Sequence, residues 1–465
     1  MLVVISDLHL NDGSAAPENI SPKAFAIWME EVLALARRNR ARELVFLYLG
    51  DMVDLLRTEY WFYPEPGAPL GAQAAESFPL EHRPWGDRHI NQHPEQLSEP
   101  CRARALAILR RICHVAREQL AYLNGEADEA KRRLADLGIP IRRIYIPGNH
   151  DRLLWVDPAV REGILQAFAS DMVAGPRPFE IHLPEYGLLA RHGHQWDPWN
   201  YEACDERGRP AAFTTGEHKL VPIGDPVTTE LLARLPYLVA ANLPASLSDN
   251  VRAQVYGQLR HLEDVRPLSQ ALRWVMVEPA NAVAGYDEPT RTVMLDTLQA
   301  MARRLIADFM KIPFVQAWIA EHDKWNIRLD QADRLQEIYR WSKILDIESL
   351  DRTLRWADKL GLTRGRDDAG PVTREFEDWP ATRFCVYGHT HQFRHLPMGR
   401  SANREDTVYL NSGTWRPRVV QARDGKAFAS YKEMTYLVFY RADEDLGTRS
   451  SKGASYELWH GIMKK

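Results

Sequence analysis

Five times along this chain a short apolar run ends in a cluster of carboxylate, amide or imidazole side chains, and that recurrence limits the fold more than any other feature. Leu2 to Ile5 runs into Asp7-Leu8-His9, and Leu44 to Leu49 into Gly50-Asp51-Met52-Val53-Asp54. Residues 141–146 run into Gly148-Asn149-His150-Asp151, an apolar stretch near 178–191 into His192-Gly193-His194, and Phe384 to Tyr387 into Gly388-His389-Thr390-His391. Runs this short are of strand rather than helix length. Open α/β sheets bind ligands outside the carboxyl ends of their strands, where all five clusters would lie. If His389 and His391 continue a strand, both rings can face one cleft, because alternate residues share a face.

Helical periodicity fills the intervals. Phe25, Trp28, Val32 and Leu35 mark a helix between the first two strands, and a further helix is expected near 158–171. Leu106, Leu109, Cys113, Ala116, Leu120 and Leu123 predict one long amphipathic helix. Residues 59–98 have no sustained period, and Tyr60, Trp61, Phe62, Tyr63 and Trp85 point to an ordered functional loop, since disordered segments are poor in aromatics. From 213 to 371 strand alternation stops. Val251, Val255, Leu259 and Leu262 share a helical face, as do Met294, Leu298, Met301 and Leu305, and again Leu335, Ile338 and Leu345. Strand-like runs return at Phe384–Tyr387, Val408–Leu410, Tyr436–Tyr440 and Tyr456–Trp459. The expected organisation is an α/β core over 1–212, with a loop insertion at 59–98, a helical insertion over 213–371, and the rest of the core over 372–465.

A chain of 465 residues exceeds what a single hydrophobic core usually supports, and 45% apolar with 26% charged residues is an ordinary globular balance. The net charge of -4 gives no global attraction to nucleic acid or anionic lipid. Cys101, Cys113, Cys204 and Cys385 form neither a C-x-x-C pair nor a disulfide framework. No apolar run is long enough for a membrane-spanning helix. Leu2–Ile5 is too short for a signal-peptide core, and a strand that delivers site residues cannot be cleaved away, so a cytoplasmic location is expected.

Taken singly, Asp-x-His or Gly-Asp-x-x-Asp says little, because Gly-Asp is a common turn dipeptide. Together the motifs hold six of the sixteen histidines, each just beyond a strand-like run. The ordered set resembles the calcineurin-like metallophosphoesterase superfamily, with its D-x-H, G-D-x-x-D, G-N-H-D/E, His-Gly and G-H-x-H elements. Asn411-Ser412-Gly413-Thr414 resembles the turn that often closes that core. The resemblance implies a four-layer α/β/β/α metallophosphoesterase sandwich with a large all-helical insertion. It implies two divalent metal ions, one on Asp7, His9, Asp51 and His391, the other on Asp51, Asn149, His192 and His389, with Asp51 bridging. The mixed nitrogen and oxygen donors suit Mn, Fe or Zn, Mn being favoured.

The implied reaction is hydrolysis of a phosphomonoester or phosphodiester by a hydroxide bridging the two metals. The catalytic residues would be His150, stabilising the transition state or protonating the leaving oxygen, and Asp151, orienting it. Asp54 and His194 are expected beside the ligands rather than among them, and Asn11, Arg152 and Trp196 as substrate contacts. The expected partner is a phosphate ester, nucleotide- or lipid-linked, selected by the helical insertion. A nuclease of the double-strand-break-repair type is a weaker alternative: Arg102, Arg104, Arg110, Arg111, Arg132 and Arg133 read as solvated helix faces, not a basic stripe with aromatics. A metal-binding scaffold without catalysis is disfavoured because His150 is present and no ligand is missing. Oligomeric state is not written in the sequence.

Overall fold

The computed structural model describes residues 1–16, 19–62, 79–85, 97–173, 177, 179–203, 220–266, 270–322, 369–401, 405–422, 427–444 and 453–463. The predicted helical face of Leu335, Ile338 and Leu345 lies outside them, as do Tyr63, Cys204 and most of the predicted loop.

Among the described residues twelve strands form two sheets. In the seven-stranded sheet, β1 (Leu2–Ile5), β2 (Leu44–Leu49), β3 (Ile141–Ile146) and β4 (Asp171–Met172) run parallel in that order. On the other side of β1 lies β11 (Phe428–Tyr440), antiparallel to it and to β10 (Pro417–Gln421) and β12 (Ser455–Met463). The second sheet has the order β5 (Glu180–Leu183), β6 (Leu188–Arg191), β7 (Phe384–Tyr387), β9 (Asp406–Asn411), β8 (Arg394–Arg400), with β6, β7 and β9 parallel.

Period-two alternation divides the strands between two cores. Leu2, Val4, Val45, Leu47, Leu49, Ile144 and Ile146 share one apolar cluster with Leu188, Ala190, Phe384, Val386 and Leu410, so the two sheets pack face to face. Their strand neighbours Val3, Ile5, Phe46, Tyr48 and Tyr145 face the other way, onto the helices. Among those, Pro22–Arg38 begins with Ser21 as N-cap and Pro22 in its first turn, and buries Phe25, Trp28, Val32 and Leu35 as the periodicity required. On the far side of the second sheet, Val372 and Phe376 of the helix Ala369–Asp378 pack with Cys385, Tyr387 and Tyr409.

The helix expected through Leu106 to Leu123 is two helices, Glu99–Val115 and Arg117–Leu123, separated at Ala116. The apolar face continues across the break, which is why the periodicity did not reveal it. Arg104 is buried and donates to Tyr60 O at 2.9 Å, so that part of the basic segment is not a solvated face. Within the described part of the segment 59–98, Tyr60, Trp61, Phe62 and Trp85 are all buried.

Between β6 and β7, which pair directly, the described chain is helical. Arg234–Asn242, Asp249–Leu259, Ala271–Ala282 and Glu288–Phe309 enclose a separate apolar cluster that includes Val251, Val255, Leu259, Met294, Leu298 and Leu305, joined by Val419 of β10. Met301 lies at its edge, partly buried. Among the described residues no helix is long and apolar enough to cross a membrane.

Candidate metal centre

Every predicted ligand lies just past a carboxyl end of a strand: Asp7 and His9 after β1, Asp51 after β2, Asn149 after β3, His192 after β6, and His389 and His391 after β7. The face-to-face sheets bring these ends together. Among the described residues three groups have ligand atoms within 4.8 Å of one another: Asp7 with His9 and His391, Asp51 with His192 and His389, and His9 with Asp54 and His150. The first two divide the histidines as the resemblance did.

The backbone is shaped for this convergence. Among the described residues seven non-glycine residues have positive φ, and five of them are Asp7, His9, Asp51, His389 and His391, at 52°, 44°, 53°, 67° and 55°. Such conformations cost about 1–3 kcal/mol each and cluster where function requires them. Close approach adds a further demand: a Cβ on Gly50 would enter the His192 ring, and one on Gly388 would strike the Asp7 carboxylate.

Hydrogen bonds aim the imidazoles. His9 Nδ1 is 3.0 Å from Asp54 Oδ2 and His192 Nδ1 is 2.8 Å from Leu49 O, which leaves both Nε2 atoms facing inward. His9 Nε2 lies 2.9 Å from His391 Nε2 and 3.6 Å from Asp51 Oδ2, while His391 Nε2 is 3.4 Å from Asp7 Oδ1. His192 Nε2 is 3.1 Å from Asp51 Oδ2 without hydrogen-bond alignment. His389 Nε2 bonds Asp197 Oδ2 at 2.9 Å, so Nδ1 is the nitrogen left for a ligand. Asp197 also accepts from Asn200 at 2.9 Å, and Asn200 Oδ1 accepts from Asn149 Nδ2 at 3.2 Å. That bond orients the Asn149 amide, whose buried Oδ1 has no hydrogen-bond partner.

Protonation follows the same geometry. Burial, with His150 nearby, lowers His9 to about 4, and burial with Arg266 and His9 puts His391 well below the usual histidine value, so both are neutral at pH 7. Burial opposes ionisation of Asp51, but His192 and His150 hold its carboxyl well below the usual range. Burial, reinforced by Asp51, raises Asp7 to about 7. Burial likewise opposes charge on His192 and His150, yet Asp51 and Asp7 bring the first to about 9, and Asp54 and Asp51 the second to about 10. Neutral imidazoles facing each other across 2.9 Å beside two carboxylates, with an orphaned amide oxygen alongside, form a donor set that a divalent cation satisfies.

His150 is placed by two aspartates. Its backbone N donates to Asp51 Oδ1 at 2.8 Å, and its Nδ1 is 2.9 Å from Asp54 Oδ1, with the ring 4.6 Å from that of His9. This corrects the expectation for Asp151. That carboxylate turns inward to accept from Gly148 N at 2.5 Å, Tyr145 OH at 2.6 Å and Met52 N at 3.1 Å, and so it fastens the loop instead of orienting His150.

Asn11, Arg152 and Trp196, expected at the substrate, are all buried; Arg152 pairs with Asp225 and Asn11 bonds Asn19 at 2.9 Å. His194 is buried 5.3 Å from the His192 ring, beside the ligands as expected. Asp197 and Arg266 were missed. For Asp197 the available signal was a carboxylate shortly after His192-Gly193-His194; for Arg266 there was none. The chain matches no protein-family model and no curated protein.

Proposed function

We propose that this chain is a dinuclear metal-dependent phosphoesterase with the four-layer architecture and helical insertion of calcineurin-like metallophosphoesterases. The observation that carries the reading is the meeting of Asp7, His9 and His391 with Asp51, His192 and His389 at the carboxyl ends of strands from two sheets. Asp7, His9, Asp51 and His391 would hold one ion, and Asp51, Asn149, His192 and His389 the other. Bound there, two divalent ions supply Lewis-acid polarisation of a phosphoryl oxygen and a water activated near neutrality.

The remaining work falls to the protein. Asp54 holds His150 as a cation over the His9 side of the centre. An imidazolium in this place would stabilise charge that develops on phosphoryl oxygens. Asp54 and Asp197 fix ring orientations, and the Asp197–Asn200–Asn149 chain aims the amide oxygen.

The test is hydrolysis of p-nitrophenyl phosphate and bis(p-nitrophenyl) phosphate by Mn-loaded wild type beside Asp51→Asn. Asp51 lies between both ligand groups, so the variant is expected to lose bound metal at both positions together with turnover. Unchanged metal content in Asp51→Asn refutes the bridging role, and a wild type that binds no metal refutes the whole reading.

A further inference from the structure

An arginine just after the helical turn Leu262–Asp264 reaches the centre. Val265 forms a parallel bridge with Val419 of β10, and Arg266 N donates to Val419 O at 2.8 Å, which fixes where the side chain begins. Its Nη1 donates to Val265 O at 2.9 Å and to Glu263 O, and its Nη2 ends 2.9 Å from His391 Nδ1. The residue is partly exposed. A guanidinium is thus held in a set position beside a predicted metal ligand.

Several arginines are paired directly with carboxylates. Arg57 faces Glu263 and Asp264, Arg83 faces Glu230, Arg152 faces Asp225, and Arg416 faces Asp264. Arg266 has carbonyls and an imidazole as partners, and no carboxylate within ion-pair distance among the described residues. Its bond to His391 is also conditional. Arginine only donates, so His391 Nδ1 must carry the lone pair in that contact. A histidine that ligates through Nε2, the nitrogen facing His9 and Asp7, keeps its proton on Nδ1 and offers Arg266 no acceptor.

We infer that Arg266 anchors the phosphate group of the substrate and selects a doubly charged one, a phosphomonoester or a terminal phosphate. The inference rests on the phosphoesterase reading and goes further by choosing among its substrates. The second ionisation of a monoester has a pKa of about 6, so near neutrality it carries a charge that a diester lacks. A planar fork of N–H groups matches two phosphate oxygens, and a cation with no carboxylate in direct contact favours the dianion.

The experiment compares metal-loaded wild type, Arg266→Gln and Arg266→Lys by calorimetric titration with inorganic phosphate and with dimethyl phosphate. Both nitrophenyl esters are assayed alongside, with metal content and thermal midpoint measured on each protein. Arg266→Gln should keep its metal and fold, bind inorganic phosphate roughly 10- to 100-fold more weakly, and leave dimethyl phosphate nearly unchanged. The kcat/KM for the monoester should fall with phosphate affinity, and Arg266→Lys should recover part of both. If the wild type turns over an ester while Arg266→Gln binds phosphate as tightly as it does, or loses both ligands equally, the role of Arg266 is overturned and the phosphoesterase reading stands. A wild type that holds two metals and turns over neither ester overturns both.

Discussion

Replacing Asp54 with Asn separates the tasks of two histidines. Asp54 is buried; its Oδ1 accepts from Arg57 N at 2.9 Å and faces His150 Nδ1 at 2.9 Å, while Oδ2 faces His9 Nδ1 at 3.0 Å. Asparagine keeps the shape but turns one oxygen into an NH2 that cannot accept an imidazole N–H. Two donors sit on the Oδ1 side and one on the other, so the amide oxygen should stay with Arg57 and His150 and the NH2 should face His9. His9 must then offer its Nδ1 lone pair and place its proton on Nε2, the nitrogen that points into the centre. Losing the group that sets a ligating histidine's tautomer typically weakens metal binding about 10- to 100-fold, or about 1.4–2.7 kcal/mol. Chelator competition measures this directly, and kcat should recover in part at saturating metal. The metal-free protein gives a second readout. Asp54 and Asp51 raise His150 above its free value of about 6.5 to about 10, against the effect of burial. The His150–Asp54 pair therefore stabilises the fold fully below about pH 6.5 and is lost as pH rises toward 10. Asp54→Asn should flatten the decline of thermal midpoint over that window. Wild-type metal affinity together with an unchanged alkaline slope would refute the assignment of Asp54.

Two further outcomes are expected. His150→Ala should keep its metal, since no predicted ligand depends on the ring, while kcat falls about 10²–10³-fold; full turnover removes His150 from the mechanism. Asp264→Ala should cost about 3–5 kcal/mol in urea denaturation at pH 7, because Arg416, 3.0 Å away, loses its carboxylate while buried. Although burial opposes it, Arg416 and Arg57 hold the Asp264 carboxyl well below the usual range, so this stability is present above about pH 3.9 and fades as pH falls further; a gap between wild type and variant that does not narrow in acid argues against the pairing.

The sequence was legible wherever a local rule carried the information. Strand ends could be read from apolar runs, and ligands from the residues that follow them, because a side chain just past a strand has few directions to take. Partners of those ligands were not legible. Asp151 adjoins His150 in sequence, yet the turn Gly148–Asp151 closes on itself and points the two side chains apart, so a carboxylate from the β2 loop takes the orienting position. Asp197 reaches His389 only because β6 and β7 lie side by side. Arg266 is further still from any local signal, since its place depends on how one helical turn docks against β10. Apolar periodicity also passes over a break that keeps the same face buried, as at Ala116.

The ligand residues break a local rule so that the site can exist. Aspartate and histidine tolerate left-handed backbone better than branched residues do, but five such residues in one centre would still cost several kcal/mol if about 1 kcal/mol each is the lower bound. The surrounding structure holds them there. Asp7 N donates to Gly50 O at 3.0 Å, His9 N to Asp51 O at 2.9 Å, and His389 N to the Asp7 carboxylate at 3.1 Å, so four of the five left-handed residues are tied to a neighbouring loop of the same centre. The loops thereby constrain one another, and the glycines beside them serve close approach: Gly50 lies against His192 and Gly388 against Asp7. A centre fastened this way is preorganised, because the backbone cost has been met by the packing of two sheets.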